Sequence, residues 1–127
     1  MRILLITNDW LPKKGGISTY LTNLVSSVDH EFTLYAPSWA EGDNVINSSS
    51  SFFLNSKDTI KEISDIIKNK NIDIILHGSS NPQFLLIGKL DQISNINSPK
   101  NIKIPQFMIC HGAEFNVLNY IPLLRSV

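Results

Sequence analysis

The first third of the chain alternates between apolar runs and a helical pattern. Residues 2–7 contain an uninterrupted apolar stretch, which is typical of a parallel strand with both faces covered. A loop follows at residues 8–16, and apolar residues then recur at helical spacing from residue 17 to residue 28. Residues 31–36 form a second predicted strand. A strand, a helix and a strand at these distances predict a βαβ unit, whose crossover is almost always right-handed.

The rest of the chain continues this alternation. Residues 56–70 place isoleucines on one face of a predicted helix and lysines away from it, with Ser56 at the N-cap position. In chain order, the pattern predicts a loop at 37–50, a short third strand at 51–54, the helix at 56–70, a strand at 72–76 that ends at His77, a helix at 82–95, a loop at 97–103, a strand at 105–110 and a helix or turn over 114–127. The alternation predicts an α/β fold with a doubly wound, Rossmann-like parallel sheet.

Length and composition narrow the classes of function. With 127 residues the chain can build one modest core, so we expect a single domain over residues 1–127. The 11 Lys and Arg residues balance the 11 Asp and Glu residues, so a basic surface for nucleic acid is not expected. Cys110 is the only cysteine, which excludes an internal disulfide and fits a reducing cytoplasm. Its place in the fifth strand predicts a small buried residue.

The pattern of apolar residues also bears on whether the protein contacts a membrane. No apolar segment approaches the ~20 residues that a transmembrane helix needs. A cytoplasmic location is predicted from the single cysteine. The lysine-bearing helix at 56–70 could rest on an anionic membrane, as a peripheral contact at its inner face. Its apolar stripe, however, is what any helix packed on a sheet shows, so packing is favoured over membrane contact.

A pair of glycines stands just before the first helix. Gly15 and Gly16 leave backbone N–H groups uncovered, and the helix dipole adds partial positive charge there. A flexible turn would also use adjacent glycines, but their position before an amphipathic helix favours an anion site, most often for phosphate. The chain has neither a G-x-G-x-x-G nor a G-K-[ST] motif, so a flavodoxin-like or dinucleotide-binding domain and a Walker loop are disfavoured.

Polar residues follow three of the predicted strands. In an open parallel sheet, ligands bind outside the carboxyl ends of the strands, near the point where the strand order reverses. The residues concerned are Asn8 and Asp9 after the first strand, His77, Gly78 and Ser79 at the fourth, and His111, Gly112 and Glu114 after the fifth. Polar groups that share one edge in this way predict a site there.

Each of these side chains also has a simpler explanation. His111 could donate to a substrate hydroxyl or bond a neighbouring carbonyl, and its place at a strand end before a glycine favours the site. Packing explains His77 equally well, Glu114 fits a helix cap, and Lys14 could meet an anionic acceptor or stay solvated. Asp9 and the two histidines could form a two-histidine, one-carboxylate metal site, but nothing in their spacing requires one, and no metal is predicted.

Two segments of the chain resemble a known enzyme family. Residues 9–16, with the sequence DWLPKKGG, and the leucine-spaced helix after them resemble the opening of the family 4 retaining glycosyltransferases. Residues 111–114, His-Gly-Ala-Glu, resemble the His-Gly-x-Glu of mannosyltransferase-like members after the fifth strand. The order of strands is similar over essentially the whole chain. The resemblance implies the N-terminal, acceptor-side half of a GT-B fold.

The resemblance also implies a reaction. A sugar moves from a nucleotide-sugar donor to a glycan or lipid acceptor with retention of configuration, without a metal or other cofactor, in polysaccharide or glycolipid synthesis. The leaving group is a nucleoside diphosphate, so stabilising phosphate charge is the main catalytic task. By this resemblance Gly15 and Gly16 contact the donor diphosphate, and His111 lies beside the transferred sugar. Further acceptor or sugar contacts are expected from Asp9, Lys14, His77 and Glu114.

The family pattern is incomplete in this chain. Family members carry a second Rossmann-like domain that grips the nucleotide, with a Glu-x7-Glu motif and basic residues for the diphosphate, and residues 1–127 contain none of it. We therefore expect an incomplete first domain without the C-terminal nucleotide-sugar-binding domain, and no appreciable transferase activity from the chain alone. The alternative is a non-catalytic α/β fragment or remnant that binds an anion or a partner and transfers nothing.

Overall fold

The structure, a computed structural model, describes residues 1–79, 84–97 and 103–110. The elements in these ranges are β1 (Arg2–Ile6), α1 (Gly16–Ser27), β2 (Glu31–Ala36), β3 (Val45–Asn47), α2 (Lys57–Lys70), β4 (Ile74–His77), α3 (Phe84–Asn97) and β5 (Gln106–Met108). The predicted strand–helix–strand start, the helix at 56–70 and the later strand–helix–strand alternation are confirmed. The predicted helix or turn over 114–127 lies outside the described residues.

The strands form one parallel sheet whose order reverses beside β1. The order is β3-β2-β1-β4-β5, so the chain adds strands first on one side of β1 and then on the other. The predicted doubly wound, Rossmann-like sheet is therefore confirmed. Ile6, at the end of β1, is in register with Tyr35 of β2 and with His77 of β4. The carboxyl ends of β1 and β4 are thus neighbours at the point of reversal.

Both faces of the sheet carry apolar side chains that pack against helices. Successive residues of a strand point to opposite faces, so Leu4 and Ile6 belong to one buried cluster and Ile3 and Leu5 to the other. Residues of α2 and α3 complete the first cluster, and Leu21 of α1 lies in the second. Two-sided burial explains why β1 is apolar at each of these positions.

The third strand does not lie where the pattern predicts it. It lies at Val45–Asn47, within the stretch predicted as loop, and residues 51–54 form no strand. The two apolar residues of β3 are too few to give a strand signal, yet its first residue pairs with Leu34 of β2. Residues 52–54 are apolar for a different reason. Phe53 is 2% exposed because its ring packs against Tyr35, with the ring centroids 4.7 Å apart.

Helix α2 matches its prediction closely. The Ser56 hydroxyl accepts a hydrogen bond from the Thr59 N–H at 3.2 Å, which satisfies one of the free donors of the first turn. The predicted apolar stripe is buried at Ile63, Ile66 and Ile67. No helix within the described ranges is long and apolar enough to cross a membrane.

Helix α1 buries less of its predicted apolar face. Ser18 and Leu21 are its buried residues, whereas Tyr20, at a stripe position of the pattern, is 49% exposed. Tyr20 stands about 100° around the helix from Leu21, which turns it past the edge of the contact with the sheet. A helix that rests on the sheet through one narrow strip leaves such flanking apolar residues in solvent.

Candidate functional site

The segment after β1 is held in place by its own polar side chains. Asn8 is 4% exposed and bonds the backbone of Phe53 in both directions: its Nδ2 donates to the carbonyl oxygen at 2.9 Å, and the Phe53 N–H donates to Oδ1 at 3.0 Å. The Thr7 Oγ1 accepts a hydrogen bond from the Asp9 N–H at 2.9 Å. The Asp9 carboxylate lies at the rim, 22% exposed, and pairs with Lys13 Nζ at 2.8 Å.

Gly78 allows the ends of β1 and β4 to meet under α1. Its N–H donates to the Ile6 carbonyl oxygen at 2.9 Å, which continues the strand pairing by one residue. A Cβ at this position would lie 2.8 Å from Cδ1 of Leu21 and 2.9 Å from both Cβ and Oγ1 of Thr7. Such distances are below van der Waals contact, so the convergence of the two strand ends requires a residue without a side chain.

The loop that carries the paired glycines is anchored at both ends. Trp10 is 6% exposed, and its Nε1 donates to the carbonyl oxygen of Glu41 at 3.1 Å. Near the helix, the Ser18 hydroxyl contacts the carbonyl oxygens of Lys13 at 2.9 Å and Gly15 at 3.1 Å. These bonds fix the path of the loop across the carboxyl edge of the sheet and into the first turn of α1.

The first turn of α1 lacks the groups that close α2. Helix α2 has a Ser56 cap and Asp58 in its first turn, whereas α1 has Gly15 at its N-cap position, no side-chain cap and no acidic residue in its first turn. The N–H groups there are thus left without an anionic partner among the described residues. The helix dipole adds partial positive charge at this end.

The protein's own packing does not require glycine at either position. Gly15 and Gly16 are exposed, and a Cβ placed on either would meet nothing within 4 Å. Gly15 has an extended backbone (φ 173°), which any residue adopts. The absent side chains leave the amides open to a ligand, which is the arrangement that phosphate sites at helix N-termini use. Lys14, one residue away, is exposed and has no ion pair in the part of the chain that the structure describes.

His77 lies inside the fold, not at the rim. The side chain is fully buried, and its Nε2 lies 2.9 Å from Oε1 of Gln106. The Gln106 Nε2 donates to the carbonyl oxygen of Ile87 at 3.0 Å, which orients the amide and leaves its oxygen facing the histidine. His77 Nε2 therefore carries the proton and donates it. This chain of bonds joins β4, β5 and α3, so the structure favours the packing role for His77.

The structure brings several predicted site residues to one edge of the sheet. Asp9 and the paired glycines flank the end of β1, and His77 closes β4 beside it. His111 and Glu114 lie outside the described residues, so their roles stay predictions. Within the described ranges, no group of three or more His, Cys, Asp or Glu side chains is placed to hold a metal ion.

The expectation that Cys110 is buried is wrong. Its side chain is exposed, because β5 ends at Met108 and residue 110 lies beyond the last pairing with β4. Strand alternation holds only while the strand continues, and the apolar run at 105–110 is longer than the paired strand. The sequence gives no sign of this early end.

Sequence reasoning also missed a polar contact between β2 and α2. The Tyr35 hydroxyl donates to Oε1 of Glu62 at 2.6 Å, and Ser49 N–H approaches the same oxygen at 3.4 Å. Burial and the Glu62 hydrogen bond raise the pKa of Tyr35 above its ordinary 10.0. Burial would raise the pKa of Glu62, but hydrogen bonds from Tyr35 and the serine segment outweigh it and lower that pKa below 4.5. A tyrosine in a strand buried on both faces is the only hint of such a partner.

Comparison with known proteins points to one class of enzyme. The chain is 32% identical, over 100 aligned residues, to the GDP-mannose-dependent alpha-(1-6)-phosphatidylinositol monomannoside mannosyltransferase of Mycobacterium tuberculosis, an alignment that covers 67% of this chain and 26% of that protein. The protein of the same name from Mycolicibacterium smegmatis is 29% identical over 97 residues, covering 66% of this chain and 25% of its own length. The chain is glycosyltransferase-like. No protein-family model matches it.

The alignments also show how much of each relative this chain corresponds to. The chain spans about a quarter of the length of the curated relatives that it matches. Together with the Rossmann-like sheet, they support the coarse assignment that the resemblance at the DWLPKKGG segment implies. The named activity belongs to those longer proteins.

Proposed function

We propose that this chain is the N-terminal, acceptor-side domain of a retaining GT-B glycosyltransferase. In this proposal a sugar passes from a nucleotide-sugar donor to a glycan or lipid acceptor, and a second domain holds the nucleotide. The observation that carries the proposal is the open start of α1, where Gly15 and Gly16 leave uncapped N–H groups beside the reversal point of the sheet. The similarity to mannosyltransferases supports it independently.

The proposed role of the glycine amides is to bind the donor diphosphate. Negative charge grows on the diphosphate as the glycosidic bond to the nucleotide breaks, and donors already fixed in place stabilise that charge without reorganising. Each hydrogen bond from an N–H to a charged oxygen contributes about 1.5–3 kcal/mol. Gly16 begins α1, so its amide adds the helix dipole to this interaction. Lys14 supplies an exposed cation beside it.

The histidines receive different roles in the proposal. His111 is the residue expected next to the transferred sugar, where a neutral imidazole would donate to a sugar hydroxyl. His77 is buried and bonded to Gln106, so we assign it a positioning role: it fixes the start of β5, five residues before His111. Asp9 and Glu114 stay as candidates for acceptor or sugar contacts.

The names of the relatives suggest which compounds to test first. Both are described as GDP-mannose-dependent enzymes that act on a phosphatidylinositol monomannoside. We therefore propose GDP-mannose as the first donor and a mannosylated phosphatidylinositol as the first acceptor. The parent reaction would then belong to glycolipid synthesis.

Two glycine variants test the diphosphate site. Amide NMR spectra of the chain are recorded while GDP is added, and the largest shifts are expected at Gly15 and Gly16. Gly16→Val should weaken GDP binding at least tenfold, because the branched side chain covers the amides without meeting any protein atom within 4 Å at its Cβ. The matched control is Gly88→Val, since Gly88 lies in α3 and a Cβ there also meets nothing within 4 Å.

The outcomes of this titration test the amide site and distinguish a transferase domain from a non-catalytic module. Loss of binding in the first variant with retention in the second supports the amide site. Equal affinity in both variants contradicts it. Binding of GDP with no contribution from any sugar on the donor would favour the non-catalytic module over the transferase domain.

A further inference from the structure

The loop before α1 carries two adjacent lysines in different surroundings. Lys13 Nζ is paired with the Asp9 carboxylate at 2.8 Å, whereas Lys14 is exposed and has no ion pair among the described residues. We propose that Lys13 leaves Asp9 when a diphosphate binds at the start of α1 and pairs with the diphosphate instead. We call this the lysine exchange. The inference rests on the proposed function, because it needs a diphosphate at Gly15 and Gly16.

Asp9 is held in place through its backbone. Its N–H donates to Thr7 Oγ1 at 2.9 Å, and the Thr7 hydroxyl lies 3.2 Å from the Asp9 carbonyl oxygen. Thr7 is itself fully buried, and its N–H donates to the Tyr35 carbonyl oxygen of β2 at 3.1 Å. The Asp9 carboxylate can therefore move only by rotation of its own short side chain, and it cannot follow a lysine that turns away.

The backbone of Lys13 is also held, but its side chain is not. The buried Ser18 hydroxyl lies 2.9 Å from the Lys13 carbonyl oxygen and 3.1 Å from the Gly15 carbonyl oxygen, which places the Lys13 backbone beside the first turn of α1. The Lys13 side chain is 56% exposed, and a lysine ammonium stands on a flexible four-carbon stem. It can therefore turn toward the open amides while the backbone stays in place.

The ion pair with Asp9 is weak enough for a stronger anion to displace it. Both partners reach solvent, and ion pairs of this kind contribute little because water screens them and both side chains lose rotational freedom. A diphosphate carries more negative charge than one carboxylate, and hydrogen bonds from an ammonium to phosphate oxygens are among the stronger ones in proteins. The lysine exchange is therefore favourable once a diphosphate lies at the amides.

A permanent ion pair is the alternative explanation. Lys13 would then only hold the loop against Asp9 and would stay there when the site is filled. The loop, however, is already anchored by the side chains of Trp10 and Ser18, so its path does not depend on the ion pair. In the lysine exchange, the Asp9 carboxylate loses its cation when the donor binds, and it can then accept a hydrogen bond from a sugar hydroxyl.

Carbon-13 NMR of the Asp9 carboxyl group tests the lysine exchange, with the 127-residue chain and GDP as the probe. Without GDP, the Asp9 carboxyl resonance of the parent should differ from that of Lys13→Met, which cannot form the ion pair. At saturating GDP most of this difference should disappear, because the parent has then broken the pair. A difference that persists at saturation would overturn the proposal, since it would show that the ion pair survives GDP binding.

The affinity for GDP, measured by isothermal titration calorimetry, gives a second readout. Lys13→Met should weaken GDP binding about fivefold, because the contact with the diphosphate is lost while the ion pair no longer has to break. Asp9→Asn should tighten GDP binding about threefold, because it frees Lys13 and removes a like charge. In the Asp9→Asn background, Lys13→Met should therefore weaken GDP binding about fifteenfold.

Lys14→Met is the matched control for the charge of one lysine. Lys14 is next to Lys13 in the loop, but it has no ion pair in the part of the chain that the structure describes. Lys14→Met should weaken GDP binding by the same factor with and without Asp9→Asn, and it should leave the Asp9 carboxyl resonance of the free protein unchanged. Equal coupling of the two lysines to Asp9 would contradict the lysine exchange, because net charge alone would then explain the affinities.

The same titrations separate this inference from the proposed function. If GDP shifts no amide at Gly15 and Gly16, the diphosphate site itself is absent and both proposals fail. If those amides shift and Gly16→Val weakens the binding, but Asp9 keeps its ion-paired resonance, only the lysine exchange fails. A change of less than twofold in GDP affinity on Lys13→Met would have the same meaning.

Discussion

Glycine has two different roles at the carboxyl edge of this sheet. At Gly78 a side chain has no room, because Leu21 and Thr7 already occupy the space where a Cβ would lie. At Gly15 and Gly16 the space around the Cβ position is empty, and the backbone conformation is one that other residues also adopt. Sequence alone does not separate these cases, since all of these glycines lie near strand or helix ends. Only the distances identify the first as a packing requirement and show that the packing does not require glycine at the other two.

A pair of alanine substitutions checks this distinction. Gly78→Ala should lower the free energy of unfolding by about 1–3 kcal/mol, since the new methyl group overpacks a junction where the Thr7 N–H is held by the Tyr35 carbonyl oxygen. Gly88→Ala should instead raise stability by about 0.5–1 kcal/mol, because it lies in a helix with open space at its Cβ. Urea unfolding measures both. A neutral Gly78→Ala would mean that the junction can relax.

His77 shows what a sequence can and cannot say about one residue. Its position at a strand end is correctly predicted, and so is its place beside the end of β1. Its partner Gln106 is 29 residues away and belongs to a strand whose register no local pattern fixes. The packing role therefore becomes visible only when the strands are paired.

At the scale of elements, the best predicted segments are those with strong local signals. Helix α2 has a cap, a clean apolar stripe and an acidic first turn, and its predicted start and end agree with the structure. The prediction of the third strand fails because this strand is defined by its pairing with β2. The apolar residues before α2 form no strand: Phe53 is buried in the core, and Phe52 and Leu54 are exposed. Pairing between strands that are far apart in the sequence leaves no periodic pattern of apolar residues.

The contact between Tyr35 and Glu62 gives a prediction for the junction of β2 and α2. Tyr35→Phe should destabilise the fold by about 1.5–3 kcal/mol at pH 7, the range for a hydrogen bond to a charged group. The pKa of Glu62 is lowered in the folded state, so its contribution is present above pH 4.5 and is lost as pH falls through the folded value. The difference in stability between the variant and the parent should therefore shrink as pH falls below 4.5. Urea unfolding followed by tryptophan fluorescence across pH measures this.

A double-mutant cycle isolates that contact from other effects of each substitution. Glu62→Gln is combined with Tyr35→Phe, and the coupling energy should be positive at pH 7 and smaller in acid. At the alkaline end, the raised pKa of Tyr35 means that its contribution is complete below pH 10 and declines as pH rises through the folded value. A coupling that does not change between pH 7 and pH 3 would show that the carboxylate charge is irrelevant.

At the scale of the whole molecule, topology was more predictable than the site. Alternating strands and helices of ordinary length admit few arrangements, because crossovers are right-handed and ligand-binding edges lie where the strand order reverses. The observed order β3-β2-β1-β4-β5 is one of these arrangements. The site depends on details at single residues, such as an uncapped helix start and a buried histidine, for which no comparable rule exists.

The last prediction concerns what the chain does alone. In the proposal, the described edge offers the amides at the start of α1 and Lys14 to a diphosphate, whereas the alignments cover only about a quarter of the relatives' length. Each missing donor to a developing charge lowers a rate by about 10²–10³. With radiolabelled GDP-mannose and a mannosylated phosphatidylinositol, the chain should therefore transfer no sugar above the rate without protein. The GDP titration of the same preparation serves as the control for a folded site, and transfer at the rate of a whole enzyme would contradict the proposal that a second domain holds the nucleotide.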